Sequence, residues 1–328
     1  MNYPEQTAAV DKTMEKTAED EQFTTDVSVI IVNWNTKDLL RNCLLSVYQT
    51  INSVSFEIIV VDNASTDNSA AMLEQEFPQT ISICNAENKG FGAANNQAFA
   101  LMKGKYALLL NTDAVLTAGA VARLYDFAEA HPAAAIVCGQ LLNADGSKQN
   151  SIASFPGLLT LAINISALEY LFPPKFPSKR YDHKHPIEVD SAIGACMLLR
   201  KKALDEAGYF DERYFFFFEE TDLAYTLHRA GWKTYHVPDA CIYHLQGQSI
   251  GNNLQSRIEF YRSRYQFLRK WHGRLYFFCA GAIIFLRLLV NWVVNGLVTA
   301  ITLGLSRKLR QKFLVYSRVI FWHLPGSK

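Results

Sequence analysis

Three stretches of this chain are apolar without alternation. Residues 27–32 read Val-Ser-Val-Ile-Ile-Val, residues 57–61 Glu-Ile-Ile-Val-Val and residues 106–110 Tyr-Ala-Leu-Leu-Leu. A strand with one wet face alternates polar and apolar positions, so unbroken runs suit parallel strands covered by helices on both sides. Apolar residues at helical spacing lie between them, over 38–50, over 69–77 behind an Asp67-Asn68-Ser69 start, and over 93–102 behind a glycine-rich turn. Strand alternating with helix predicts a doubly wound, mostly parallel sheet. Shorter strands over 81–85 and 134–142 extend it. The second half resumes with strands over 189–199 and 234–238, a helix starting at Lys201 and another running to Ala230. Between them, 151–187 is irregular, with Pro173-Pro174, Pro177 and a basic stretch over 175–184. It reads as an insertion near a site, where an acceptor could bind.

The two ends differ from this middle. Residues 1–26 are polar and lack the apolar core of a secretory signal or anchor, so a disordered tail is expected. Residues 275–305 are mostly apolar and long enough to span a bilayer, but Arg287, Asn291 and Asn295 interrupt them. Their spacing of four puts all three on one helical face, which argues for a helix lying in the membrane interface or packing that face on protein. A basic run, Arg307-Lys308-Leu309-Arg310-Gln311-Lys312, leads into an amphipathic aromatic segment over 313–324. Such cations gain about 1 kcal/mol each near an anionic leaflet. Membrane association is the first reading. A helical cap buried on the same chain or a second copy, and a spanning helix, are the others.

Composition narrows the partners. The chain of 328 residues is 49% hydrophobic, with 21 Phe and 15 Tyr, which points to an apolar surface beyond an ordinary core. A net charge of +1 supplies no field to collect nucleic acid. Six scattered cysteines without a C-x-x-C pair suit buried thiols in a reducing, cytoplasmic compartment.

In open α/β sheets ligands bind beyond the carboxyl ends of strands. The first strand is followed by Asn33-Trp34-Asn35, which offers amides and a ring to a base. From these residues alone an ordinary turn is the better reading. The second is followed by Asp62, a candidate for a base or ribose contact, and by Ser65 and Asp67 as helix caps. Asn88-Lys89-Gly90-Phe91-Gly92 opens a helix with backbone N–H groups suited to anionic oxygens. Asn111-Thr112-Asp113 follows the third strand. A carboxylate there has little structural purpose, whereas Mg²⁺ or Mn²⁺ bridging a diphosphate would need it. In the second half, the aromatic run 215–218, ending at Phe218, precedes Glu219 and Glu220. Adjacent acids in apolar surroundings should have one pKa raised, giving a general base. The alternative is a helix N-terminus favouring acids through its dipole, expected for Asp222. His244 closes a strand-like stretch and is a candidate for the same metal, although a lone histidine is more often structural.

Together, segments 27–35, 57–67, 88–95, 108–113, 194–222 and 244–249 resemble glycosyltransferase family 2, in its rhamnosyltransferase-like branch, over roughly 26–273. The resemblance implies a GT-A fold and inverting transfer from a nucleotide-diphospho-sugar with a divalent cation. By position, Asp62 resembles the base-binding aspartate and Asp113 the last residue of the D-x-D metal motif. Glu220 resembles the general base and His244 the later metal ligand. Gly194-Ala195-Cys196 resembles the acceptor-side loop, and Tyr261-Arg262-Ser263-Arg264 a basic segment near the donor phosphates. Two departures matter: Asn111 replaces the first D-x-D acid, and glutamate stands where an aspartate base is usual, leaving Glu219 and Glu220 both open. Gln266-Phe267-Leu268-Arg269-Lys270-Trp271 has one residue more than the Q-x-x-R-W of processive synthases, which favours single-sugar transfer.

The expected organisation is a tail over 1–26, a GT-A domain over 27–273 and a helical, membrane-associating region over 274–328. The GT-A domain divides into a nucleotide-binding half, 27–113, and an acceptor and catalytic half, 114–273. The expected reaction moves one sugar, with rhamnose from dTDP-rhamnose first, to a saccharide or lipid-linked hydroxyl in cell-surface polysaccharide synthesis. A non-catalytic nucleotide-sugar-binding subunit and a nucleotidyltransferase are the rivals. The expected place is the cytoplasmic face of the membrane, with a homo-oligomer open.

Overall fold

The computed structural model describes residues 23–173, 175–177, 183–245, 254–303 and 305–323. Strand β1 is Thr25–Asn33, followed by α1 (Lys37–Thr50), β2 (Phe56–Asp62), α2 (Ser69–Glu76), β3 (Ile81–Cys84), α3 (Phe91–Phe99) and β4 (Gly104–Leu110). β1, β2, β3 and β4 are mutually parallel, in the order β3-β2-β1-β4. The central residues of β1, β2 and β4 are buried on both faces, as unbroken apolar runs require. One core cluster packs α1 and α4 (Ala120–Ala130) on one face, and a second packs α3, α7 (Lys201–Ala207) and α8 (Glu219–Arg229) on the other.

Beyond β4 the sheet is mixed. It continues through β10 (Cys196–Arg200), β6 (Ala134–Leu142) and β11 (Lys233–His244) to β5 (Ala114–Leu116), while β8 (Ile187–Val189) pairs with β11. β10 runs antiparallel to β4 and β6, and β5 antiparallel to β11. The strand expected over 189–199 is therefore three short ones, β8, β9 (Ser191–Ala192) and β10. Likewise the strand expected over 234–238 is only the first half of β11. Its register shifts between Val237 and Cys241, and its last residues then pair with β5, His244 opposite Ala114. Gly139 permits the shift, because a Cβ there would lie 2.1 Å from the Ala240 carbonyl oxygen. This bulge carries His244 to the same sheet edge as the ends of β1, β2 and β4.

The chain is already ordered at Thr25, two residues inside the expected tail. Asp26 accepts hydrogen bonds from Ser55 N and Oγ, both at 2.7 Å, and from Tyr125 at 3.1 Å. The insertion holds β7 (Ile152–Ala153) and the helices α5 (Leu158–Ala162) and α6 (Ile165–Leu171). Part of its basic stretch, 178–182, lies outside the described residues, as do 246–249. All six cysteines are free; Cys84 and Cys279 are exposed rather than buried.

Three helices close the chain: α9 (Leu254–Trp271), α10 (Arg274–Ile301) and α11 (Arg307–His323). Their shared core includes Leu268, Ala280, Ile284, Leu288 and Val319. α10 is long and apolar enough to cross a membrane, and most of its surface is uncovered. Two of its polar residues meet protein, while Asn291 is exposed. Arg287 donates to the Leu161 carbonyl at 2.5 Å, and Asn295 is buried.

Candidate active site

The convergent strand ends open on a cleft of about 1310 Å³. Its floor begins with the ends of β1 and β2. Asn33 Nδ2 donates to Asp62 Oδ1 at 2.7 Å, and Ser65 N donates to Asp62 Oδ2 at 2.9 Å. Both Asp62 oxygens therefore brace the loops from beneath, and neither Asp62 nor Asn33 lines the cleft. Asn35, at φ 54, accepts from Thr66 N and also lies outside the lining. The cleft wall here is Trp34, 52% exposed, with Thr36 and Asn63. Asp67 braces the start of α1 as well as capping α2, since its Oδ2 accepts from Lys37 N at 2.7 Å.

The glycine turn lies across from this wall. Asn88 Oδ1 accepts from Gly90 N at 2.9 Å, and Phe91 N donates to the Phe215 carbonyl at 3.2 Å. Gly90 has φ 85, and a Cβ on it would stand 2.4 Å from that carbonyl. Only glycine allows the turn and the aromatic loop to meet so closely. Asn88 and Gly90 line the cleft; Lys89 is exposed and does not.

Asn111-Thr112-Asp113 lies at the centre. Asn111 N donates to the Ala195 carbonyl at 2.9 Å, so the acceptor-side loop is tied to the end of β4. Thr112 Oγ1 accepts from Thr36 Oγ1 at 2.9 Å. Asp113 is 1% exposed, and its Oδ1 lies 3.3 Å from His244 Nε2. The other ring nitrogen, Nδ1, is 3.0 Å from Gln149 Oε1, while Gln149 Nε2 donates to the His244 carbonyl at 2.5 Å. That second bond orients the amide with its oxygen toward the ring. Nδ1 then donates to the amide, so in a neutral ring Nε2 presents its lone pair toward the Asp113 carboxylate. Two electron-rich donors facing each other at this distance fit a divalent cation, with Gln149 acting as the orienting partner. Among the described residues no third His, Cys, Asp or Glu joins them. Such a pair leaves most coordination positions to phosphate oxygens and water.

The aromatic loop sets the acids. Phe217 and Phe218 both adopt left-handed backbone, φ 67 and 70, at a cost of about 1 to 3 kcal/mol each. Packing offsets it. Phe218 sits against Phe260 and Phe267, and Ser263 Oγ donates to the Phe216 carbonyl at 2.9 Å. The turn delivers Glu219 and Glu220 to the first residues of α8. Glu219 is 5% exposed on the side of Gly92 and Phe210, and its Oε2 has no hydrogen-bond partner among the described residues. Burial, with the neighbouring Glu220 charge, pushes its pKa well above the ordinary glutamate value. Glu220 is half-buried beside Gly194, and burial raises its pKa as well. The helix dipole favours both as anions, but for both desolvation outweighs it, more so for Glu219.

Asp222 is structural. It accepts from Lys270 Nζ at 2.6 Å, Trp271 Nε1 at 2.7 Å and Tyr214 at 3.1 Å. Lys270 also reaches Asp211 at 2.8 Å, so the end of α9 clamps the start of α8. Gly194, Ala195 and Phe218 line the cleft. Cys196 instead points into the core, where burial pushes its thiol up to about 12. Arg262 also lies off the cleft, exposed and paired with Glu259 at 2.5 Å. Arg264 does line it, its guanidinium 4.5 Å from the Phe260 ring. Sequence reasoning passed over Gln149 and Asn63 and read Arg287 only as part of the polar face of the apolar helix. A lone glutamine in a loop carries no signal until the imidazole it orients is seen.

The profile of the family described as glycosyl transferase family 2 matches residues 28–208. The chain belongs to glycosyltransferase family 2. This sets aside the nucleotidyltransferase and the non-catalytic subunit. The family 2 match includes Asp113 and Gly194 but ends before Glu220 and His244. Among relatives, this glycosyltransferase is 29% identical over 233 residues to the N-acetylglucosaminyl-diphospho-decaprenol L-rhamnosyltransferase of Mycobacterium tuberculosis, covering 66% of this chain and 75% of that one. It is 26% identical over 208 residues to the low-salt glycan biosynthesis hexosyltransferase Agl10 of Haloferax volcanii, 62% of each chain. In structure it resembles a Pyrobaculum calidifontis mannosyltransferase solved with GDP-Man and Mn²⁺. The TM-score is 0.56 at 15% identity, over 96% of this chain and 94% of that one. The fold is therefore of the GT-A type, as the resemblance implied.

Proposed function

We propose that this glycosyltransferase moves one sugar, with inversion, from a nucleotide-diphospho-sugar to a hydroxyl of a lipid-linked saccharide during cell-surface polysaccharide synthesis. The observation that carries the reading is the meeting of Asp113 and His244 at 3.3 Å in the cleft that Glu220 also lines. The donor lies along the ends of β1, β2 and β4, between Trp34, Asn63 and the Asn88–Gly90 turn. Asp113 and His244 would hold a Mg²⁺ or Mn²⁺ ion, which supplies positive charge to the departing diphosphate. Glu220 is the general base, because it lies beside the acceptor-side Gly194, whereas Glu219 is deeper and burial, with the Glu220 charge, pushes its pKa well up. The Glu220 carboxylate takes the proton of the acceptor hydroxyl. That oxygen bonds to the anomeric carbon as the bond to the diphosphate breaks on the opposite face.

The Mycobacterium tuberculosis relative supports rhamnose as the sugar and a polyprenyl diphosphate-linked saccharide as the acceptor class. The uncovered apolar surface of α10 supports work at the cytoplasmic membrane face. The test is binding of a panel of nucleotide-sugars, dTDP-rhamnose and UDP-hexoses included, with and without manganese. Metal-enhanced binding of dTDP-rhamnose above the others is expected. Tighter binding of a UDP-hexose would move the sugar assignment, and no metal-enhanced binding at all would overturn the reading.

A further inference from the structure

The reaction as proposed leaves one part of the cleft without a task. Arg264 and Arg287 line its helical end, and neither is paired with a carboxylate among the described residues. Among the described residues Arg264 Nε is buried without a hydrogen-bond partner, and its guanidinium faces the rings of Phe260, Phe218 and Tyr261 at 4.5, 5.8 and 5.8 Å. Arg287 spends one N–H on the Leu161 carbonyl and keeps its remaining donors. The two cations are close enough to repel, and both, with Arg257, act on the Tyr261 phenol. Glu259, the nearest acid on α9 to line the cleft, is taken by Arg262. Two guanidinium groups that repel each other, neither paired with the acids of the same cleft among the described residues, favour an anion between them.

The surface next to Arg287 is apolar. Val290, Val294, Leu297 and Ile301 follow it at 3, 7, 10 and 14 positions, which is one helical stripe. They are 54, 51, 59 and 80% exposed. At 1.5 Å per residue the stripe runs about 21 Å from the guanidinium. A ligand matching both features has a phosphate head and a long hydrocarbon tail.

We infer that Arg264 and Arg287 form a subsite for the phosphate groups of a polyprenyl phosphate or diphosphate acceptor, whose chain leaves along the Val290–Ile301 stripe of α10. The subsite rests on the lipid-linked acceptor proposed above and gives it a place. Planar guanidinium groups suit phosphate oxygens, and the ring cage holds Arg264 ready without a competing carboxylate.

The full chain is tested for binding to phosphatidylcholine vesicles containing polyprenyl phosphate, to phosphatidylserine vesicles of equal charge, and to dTDP with manganese. The wild type should prefer the polyprenyl phosphate vesicles by about tenfold or more, the scale of one lost charged hydrogen bond. Arg287→Gln should lose that preference and keep dTDP binding, whereas Arg287→Lys should keep part of it. Arg287 is exposed, so its replacement leaves the core intact even if Arg264→Gln unfolds. Equal binding to both charged vesicles would overturn the subsite in favour of general anionic attraction. An unchanged preference in Arg287→Gln, or a loss of dTDP binding instead, would overturn it too. Failure of the wild type to bind dTDP at all would count against the glycosyl-transfer reading rather than this one.

Discussion

His244 Nε2 stands 3.3 Å from Asp113 Oδ1, although 131 positions separate the two residues along the chain. The contact exists because β11 bulges between Val237 and Cys241, opposite Gly139 of β6, and ends opposite β5, the strand that directly follows Asp113. With Asn111 in place of the first acid of the motif, the proposed metal site would lean on both residues.

Asp113→Ala and His244→Ala should therefore each weaken manganese-dependent binding of the nucleotide-sugar. Binding measured without metal should change little. Calorimetric titration with and without manganese checks this, and a His244→Ala protein with undiminished metal dependence would remove the histidine from the site.

Gln149→Ala should lower metal affinity by about 10- to 100-fold, the usual effect of losing an orienting partner. The amide otherwise fixes which imidazole nitrogen carries the proton. Nitrogen-15 shifts of the His244 ring read the tautomer directly. An unchanged tautomer in the variant would reduce Gln149 to a packing residue.

Glu220→Gln should reduce the turnover rate by about 10² to 10⁴, the range for loss of a general base. Glu219→Gln should be mild, because Glu219 is the deeper acid and burial already favours its neutral form. The reverse ranking in single-turnover assays would exchange the two assignments.

The raised pKa values give a pH signature. The base works as a carboxylate, so activity should rise with pH through a value above that of an ordinary glutamate. For stability the sign is opposite. A carboxyl with a raised folded pKa contributes stability that is complete below its unfolded pKa and is lost as pH rises through the folded value. Glu219→Gln should thus gain stability relative to the wild type as pH is raised from the ordinary glutamate range through the raised folded value. Denaturant melts at several pH values measure it, and a constant difference between the two proteins would contradict the buried acid.

Gly139→Ala tests the link between fold and site. A methyl group 2.1 Å from the Ala240 carbonyl must push the strands apart. A loss of roughly 1 to 3 kcal/mol is expected, with weaker metal-dependent binding as His244 moves. A stable variant with normal metal binding would mean that the bulge does not position the histidine.

The three buried runs and the polar residues after them were legible in the chain itself. Period and length separate covered strands from helices, and ligands gather where parallel strands end. The resemblance then pointed to Asp113, Glu220 and His244. Other details were not legible. Asp62 reads as a ligand contact, but its two oxygens hold Asn33 and Ser65. Arg262 and Arg264 are two residues apart and look equivalent, yet α9 turns one to solvent and the other into the cleft. Cys196 follows two cleft residues and faces the core, because side chains alternate once β10 begins.

By itself, the amino-acid order determined the elements, their covered faces and the strand-end loops, since these follow from local periodicity and turn chemistry. Only the tertiary structure decided which loops meet. The antiparallel entry of β10, the bulge in β11 and the clamp of Lys270 on Asp222 join residues distant in the chain, and no local pattern encodes such pairings. The roles of Gln149, Arg264 and Arg287 depend on those junctions, because each is defined by what stands opposite it in space.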